Sequence, residues 1–507
     1  ETCQADSSLR RPRRRVYSQN AAEDGGWSLP RLFCAIPRII AFAMYNKKWI
    51  YLPVVAALLA AVFLPILFTG YSAIDRAEDE YAAHNYESSA QQYQHAARLL
   101  PWRGDLWEKA GISAYASGNY PDAINFLNHT PELTEQGWVA MGHSYLSTND
   151  LPSALRVFQQ GLQIHDSAYL YAGLATIYRE QKNWLAESDA LKNQIRLDVN
   201  NAYAHYRLGL LLTVLEPEQA FSELMLASSL NPEADSAVQT LRAALNDSAI
   251  EPDPSQQMLT IGRALGLVQE WNLSVTAFEK ATQLNAENAE AWAWLGEAKQ
   301  QSGQEGGAEL DRALALNPES AIVRALRALH WNRQEKYDQM LAEYLIAARY
   351  DPTNPAWQAS IGDAHFKLGD LAAALTAYQR ATELAPNEPT YWRLLAFFCA
   401  ENGVQVEDVG LPAAQQAVRL APDDPFALDA LGWSYLSSGR YASAEGTLAA
   451  LIARFPDHFP AYIHLAMTHL AQGNRPAAYN ILTYVRDVDQ SGMYRAIAEQ
   501  LLEQYFP

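Results

Sequence analysis

A fifteen-residue phrase recurs along the chain and constrains its fold more than any other feature. LGWSYLSSGRYASAE (431–445) has counterparts in AGISAYASGNYPDAI (110–124), MGHSYLSTNDLPSAL (141–155) and IGDAHFKLGDLAAAL (361–375). In each, a small residue stands second, an aromatic fifth or sixth, and a turn-forming Gly or Asn ninth, while the charges vary freely. Aligned on the small position, the register returns at Ala77, Gly111, Gly142, Ala175, Gly209, Gly262, Gly296, Ala328, Gly362, Ala396, Gly432 and Ala466. Within the two blocks that these positions form, the intervals run from 31 to 36 residues and cluster on 34.

The other offsets explain what the period builds. A large residue stands four before the small one (Trp107, Trp138, Trp292, Tyr462) and another three after it (Tyr145, Tyr178, Tyr435). Offsets of −4, 0 and +3 share one helical face, and the small residue lets a second helix approach. Small residues at +12 (Ala123, Ala154, Ala444) and large ones at +16 (Phe158, Phe278, Tyr378) mark that second helix. Gly118, Gly303, Gly369, Gly439 and Gly473 supply the turn between the two, and a proline at +24 (Pro101, Pro352, Pro386, Pro456) ends the unit. One such helix pair cannot bury its own apolar face, so the units must stack.

These residues at 34-residue spacing resemble the tetratricopeptide repeat family over about 70–492. The resemblance implies an all-α, right-handed superhelical solenoid of about twelve helix–turn–helix repeats. Three units depart from the pattern: one is short and breaks at NHTPELTEQ, one loses two residues around GQEGGAEL, and one gains two around VQVEDVGLP. Residues 235–254 fit no unit and read as a joining helix and loop between a first block (70–234) and a second (255–492). Residues 493–507 read as a capping helix.

Residues 50–70 form an uncharged run of 21 residues that predicts one transmembrane helix. At ~1.5 Å per residue it covers roughly 30 Å, one bilayer core. Trp49, Tyr51 and Tyr71 lie at its two ends, as interfacial aromatics do. Lys47 and Lys48 precede it and an acidic cluster (Asp75, Glu78, Asp79, Glu80) follows, which places the repeats outside the cytoplasm of a single-pass protein. A cleaved signal peptide is the rival reading; Ala73 suits position −1 but Tyr71 does not suit −3, so an uncleaved anchor over 44–70 is expected. Because Ala77 already holds the first small position, the span should run straight into the first repeat helix. Residues 1–43 read as a disordered tail or a stretch foreign to the native protein, with a transit peptide as the alternative.

Net charge narrows the partners. The chain carries −19 overall, yet residues 1–48 carry +5, leaving −24 on the remainder. A body this acidic repels a phosphate backbone, so nucleic acid is not an expected partner. Cys3, Cys34 and Cys399 form neither a C-x-x-C motif nor a disulfide framework. No phosphate-binding loop, zinc-protease or nucleophile-elbow motif occurs. His464 and His469 lie five apart, too far round a helix to share a metal. No catalytic residue, metal or cofactor is expected, and the chain reads as a non-enzyme.

What remains is binding. The family resemblance implies a concave groove lined by the first helices, with the residue after each small position facing it. Phe397, Trp433 and Met467 are consecutive large apolar residues in that series, and Phe426 and Ile463 should point nearby. Such a strip suits an apolar helix or extended peptide of a partner protein. The groove positions lack the Lys and Asn of the carboxylate-clamp subfamily, so chaperone tails are not expected. The reading is a membrane-anchored scaffold that organises an envelope assembly. A repeat subunit of a membrane enzyme complex for polysaccharide synthesis or export is the alternative, and a carbohydrate-binding protein a weaker one.

Overall fold

A computed structural model describes residues 52–489 and 492–507. The described residues are helical throughout, in 26 α-helices joined by short turns, with no strand among them. The tail 1–43, the basic flank and two of the three cysteines lie outside the described residues. The chain divides into two compact units, up to Asp166 and from Ser167 onward, so the 235–254 stretch falls inside the second unit.

Helices pair as the period requires. A Cβ added to Gly142 would lie 2.4 Å from the ring of Phe158, and one added to Gly262 would lie 2.5 Å from the ring of Phe278. Gly111 meets Leu127, Gly362 meets Tyr378 and Gly432 meets Leu448 in the same way, each at the +16 offset. Where alanine holds the small position, as at Ala328 and Ala466, Tyr344 and Leu482 still pack into its cluster. The turn sits at +7, where glycine is left-handed at six positions from Gly118 (φ 82°) to Gly473 (φ 79°). His84, Asn149, Lys182, Gln269 and Glu335 take the same left-handed conformation at +7 without being glycine.

Five of the second helices begin on a side-chain cap. Asp150 Oδ1 accepts the Ser153 N–H at 3.1 Å and Asp370 Oδ1 the Ala373 N–H at 3.0 Å, filling donors that a helix start leaves open. Each departure from the period has its own local solution. The short unit ends its second helix at Tyr120–Leu127, eight residues long, and crosses to the next by an open loop. The unit that loses two residues keeps a ten-residue second helix, Gly307–Leu316, and Gly306 presses on the Gly296 carbonyl, where no Cβ would fit. The unit that gains two absorbs them in a π-helical stretch, Val406–Gly410, entered through left-handed Gly403 and Gln405.

In the first unit, one uninterrupted helix runs Leu52–Ala82 and supplies both the apolar run and the first repeat helix. Its lower part is bare: Leu64 and Phe68 are 61% and 78% exposed. Burial starts at Gly70 and continues through Ala73, Ile74 and Ala77, against the returning Tyr86–Leu99 helix.

In the second unit, Asp235–Ile250 is a 16-residue helix outside the repeat pattern. The Ala202–Leu215 helix before it packs directly on the Pro254–Leu267 and Trp271–Leu284 helices after it. Three long-range bonds close this joint: Trp184 Nε1 donates to Thr276 Oγ1 (2.9 Å), Arg207 Nη1 to Glu270 Oε2 (3.0 Å), and Lys280 Nζ to the Val214 carbonyl (2.8 Å).

Candidate functional site

The last three first-helices and the terminal helix enclose a cleft of about 420 Å³. Trp433 and Leu436 come from Pro425–Ser437, Met467 and Leu470 from Phe459–Ala471, and Ala400 and Glu401 from Pro389–Asn402. Tyr505 of Met493–Tyr505 forms the end wall. Residues one, four and five places after the small position face one way on each helix, which is why Trp433, Leu436 and Ser437 share the lining. Ser437 Oγ donates to the Ala400 carbonyl (2.9 Å) and pins two of the three helices across the cleft floor.

Trp433 is held from beneath. Its indole meets the His464 ring edge-on, and His464 Nδ1 lies 2.7 Å from Asp429 Oδ1. His458 Nε2 stands 3.6 Å from the other Asp429 oxygen, too long for a hydrogen bond. Asp429 is buried at 1% exposure. Burial alone would push its carboxyl up, but His464 and His458 override that and hold it below the ordinary aspartate value.

The other expected groove residues fall elsewhere. Phe397 is half-buried against the Leu395–Cys399 cluster and does not line the cleft. Phe426 is 49% exposed, with the Arg393 guanidinium 5.1 Å over its ring and His458 edge-on at 4.9 Å. Ile463 is 5% exposed among Ala466, Leu482, Val485 and Ala498, because the terminal helix covers that face. It offers a partner no surface. Leu210, also expected in the groove series, is fully buried because its helix is covered at the 235–250 joint. Glu297 is buried in an ion pair with Arg333. Of the expected strip, Trp433 and Met467 line the cleft at the C-terminal end.

A larger cleft of about 580 Å³ lies in the first unit, where the second helix stops early at Leu127. Leu133, Trp138, Met141 and Ile164 line it. Thr130 Oγ1, Trp138 Nε1 and His165 Nε2 are buried there without a hydrogen-bond partner in the protein. All three residues are also among those that line the cleft.

Sequence reasoning missed the ionic centre of the second unit. Glu187 is wholly buried; its oxygens receive Arg207 Nε (2.7 Å) and Nη2 (3.1 Å) and Arg179 Nε (3.0 Å). No periodic signal marks these residues, since the partners lie 8 and 20 positions away on different helices.

Comparison with known proteins gives the fold a family context. A model described as TPR repeat matches residues 362–403, and one described as tetratricopeptide repeat matches 435–501. The first match falls inside the array and the second runs from it into the terminal helix, and both support its reading as stacked tetratricopeptide repeats. The chain is similar to Superkiller protein 3 of Schizosaccharomyces pombe, at 22% identity over 315 residues, 54% of this chain and 22% of that protein. It is similar to the BBSome complex member BBS4 homolog of Drosophila melanogaster, at 24% identity over 334 residues, 64% of this chain and 66% of that protein. The chain thus spans about a fifth of the first relative and just under two thirds of the second. Among solved structures, yeast Tom70 aligns at a TM-score of 0.39 and 13% identity over 86% of this chain and 95% of Tom70. PilW, a type IV pilus biogenesis factor, aligns at 0.37 and 18% over 41% of this chain and 96% of PilW.

Proposed function

We propose that the chain is a non-catalytic, membrane-anchored scaffold that captures a partner protein in its C-terminal cleft. The observation that carries the binding half is the cleft itself: Trp433, Leu436, Met467, Leu470 and Tyr505 present apolar surface from three helices at once, with Glu401 of a fourth at the edge. That chemistry suits a short apolar helix or extended peptide, with Trp433 as the anchor. The anchoring half rests on the bare lower part of Leu52–Ala82, whose exposed Val54, Leu58, Val62, Leu64 and Phe68 are costly in water and satisfied in lipid. The charge flanks favour the extracytoplasmic side for the repeats, where they would face envelope proteins.

The binding test is a photo-reactive side chain at Leu436 in the full chain, in native membranes. A crosslinked partner that disappears with Trp433→Ala, while far-ultraviolet circular dichroism stays unchanged, supports the reading. Persistence of the same crosslink in Trp433→Ala rejects this cleft as the site. External protease on sealed, right-side-out vesicles tests orientation: digestion of the repeats supports it, and protection until the membrane is opened reverses it.

A further inference from the structure

We propose that the turn Leu100–Arg103 is a second membrane contact, with Trp102 seated in the headgroup region of the bilayer that holds Leu52–Ala82. The inference rests on the anchoring reading above and adds to it a fixed posture of the first repeat. The geometry follows from antiparallel pairing. The chain leaves the apolar run at Gly70, climbs to Ala82, and returns along Tyr86–Leu99 to the level at which burial began. Leu100, fully buried, sits directly on Gly70, so close that a Cβ there would lie 2.7 Å from Leu100 Cγ. Leu67 already packs against the same core. The turn is therefore level with the last residues of the apolar run, not higher on the repeat.

Its chemistry suits that depth. The Arg103 N–H closes the turn on the Leu100 carbonyl at 2.9 Å, which pushes Pro101 and Trp102 to the tip. Trp102 is 56% exposed, a large apolar ring presented to the surroundings. Arg103 ties the turn down by pairing with Asp105 (2.7 Å), and Tyr71 is the aromatic at the end of the apolar run, next to Gly70. Tyr71 and Trp102, one on the span beside Gly70 and one on the turn beside Leu100, thus stand at the level where lipid gives way to water. Indole and phenol rings favour that zone because one part of each is apolar and the other donates a hydrogen bond. A single helix lets a solenoid swing about its axis. Two contacts do not.

The test uses the full chain in phospholipid nanodiscs, with Cys3→Ser and Cys34→Ser and the buried Cys399 left in place. Nitroxide labels are placed singly through Phe68→Cys, Trp102→Cys and Ser117→Cys, the last at the far end of the Asp105–Ala116 helix. Collision with oxygen and with a water-soluble nickel chelate reads the depth of each. The expected result is a label at 68 shielded from nickel, a label at 117 open to it, and a label at 102 several-fold less accessible than 117. A label at 102 as open as 117, with 68 still shielded, overturns the second contact and leaves the anchor standing. A label at 68 open to nickel overturns the anchor reading and this inference with it. The native indole is read separately: bilayers brominated near the headgroup should quench wild-type fluorescence more than that of Trp102→Phe. Equal quenching of the two rejects the seat for Trp102.

Discussion

The contact between Gly142 and Phe158 allows a sharp test of the packing that writes the repeat. Replacing Gly142 by alanine puts a carbon 2.4 Å from both Cε1 and Cζ of Phe158 and 2.8 Å from Cε2. Carbon atoms settle at about 3.5–4.0 Å, so ring or helix must shift by about 1 Å. The ring cannot swing away, because Phe158 is fully buried and stands edge-on to His143 at 5.4 Å. Overpacking of this kind costs about 1–3 kcal/mol, against about 1 kcal/mol gained from replacing glycine inside a helix. Gly142→Ala should therefore be neutral to about 2 kcal/mol destabilising. Phe158→Ala alone should cost about 3–5 kcal/mol. In that background the new methyl meets a cavity, and Gly142→Ala should turn stabilising by about 1 kcal/mol. Gly446→Ala is the control: nothing lies within 4 Å of its Cβ, so it should stabilise by about 0.5–1 kcal/mol. Stacked repeats open locally, so hydrogen exchange of the Glu135–Ser147 and Leu151–Leu162 helices in the full chain is the proper measure. Additivity of the two substitutions within about 0.5 kcal/mol would refute the close-approach account.

Other outcomes follow from single sites. Glu187→Ala should destabilise by about 3 kcal/mol or more because it strips the buried Arg207 of its bidentate partner, whereas Glu187→Met with Arg207→Met should come out near neutral by urea unfolding. Asp429 has its carboxyl depressed in the fold, so its ionised form adds stability above the unfolded value near pH 4. That contribution fades as pH falls through the lower folded value, and the gap between wild type and Asp429→Asn should close there in a thermal-melt series. Burial pushes the Cys399 thiol up to about 12, so at pH 8 it should resist iodoacetamide until denaturant is added. Glu335→Gly should stabilise by about 1 kcal/mol, since it relieves a left-handed backbone at φ 57°.

Size is what the period records, and size is what the sequence made readable. Gly142 and Phe158, or Gly432 and Leu448, are legible as pairs because two helices at closest approach need a small residue opposite a large one. The turn was legible at Gly118 and Gly369 but not at Lys182 or Gln269, where neighbouring helices hold a residue left-handed against its own preference. The continuous helix from the apolar run into the first repeat was legible from register alone, since Ala77 sits in phase with Gly111. At the site, the periodic rule put Trp433 and Met467 on one side of neighbouring helices, and both line the cleft. It could not foresee Tyr505, which arrives from outside the period, or the burial of Ile463 beneath the same terminal helix. It could not foresee Asp429 and His464 either. Their pairing is chemical, across 35 residues, and leaves no trace in spacing.

The joint at 235–250 shows why an interruption need not divide an array. A helix that fits no unit should leave the first helices on either side unpaired, with apolar faces open to water. Instead the Ala202–Leu215 helix buries Leu208, Leu210, Leu211, Leu212 and Val214, the densest apolar run in the second unit. That burial carries Trp184 to Thr276 and Arg207 to Glu270, contacts spanning 92 and 63 residues. Arg207 then serves two masters: it neutralises the buried Glu187 within its own block and reaches Glu270 in the next. If the joint is a brace, Glu270→Ala with Thr276→Ala should raise exchange at Trp184–Leu197 as well as at Trp271–Leu284, leaving Ala289–Gln301 unchanged. If exchange rises only on the mutated helix, the two blocks are independent and the bonds across the joint are incidental to their stability.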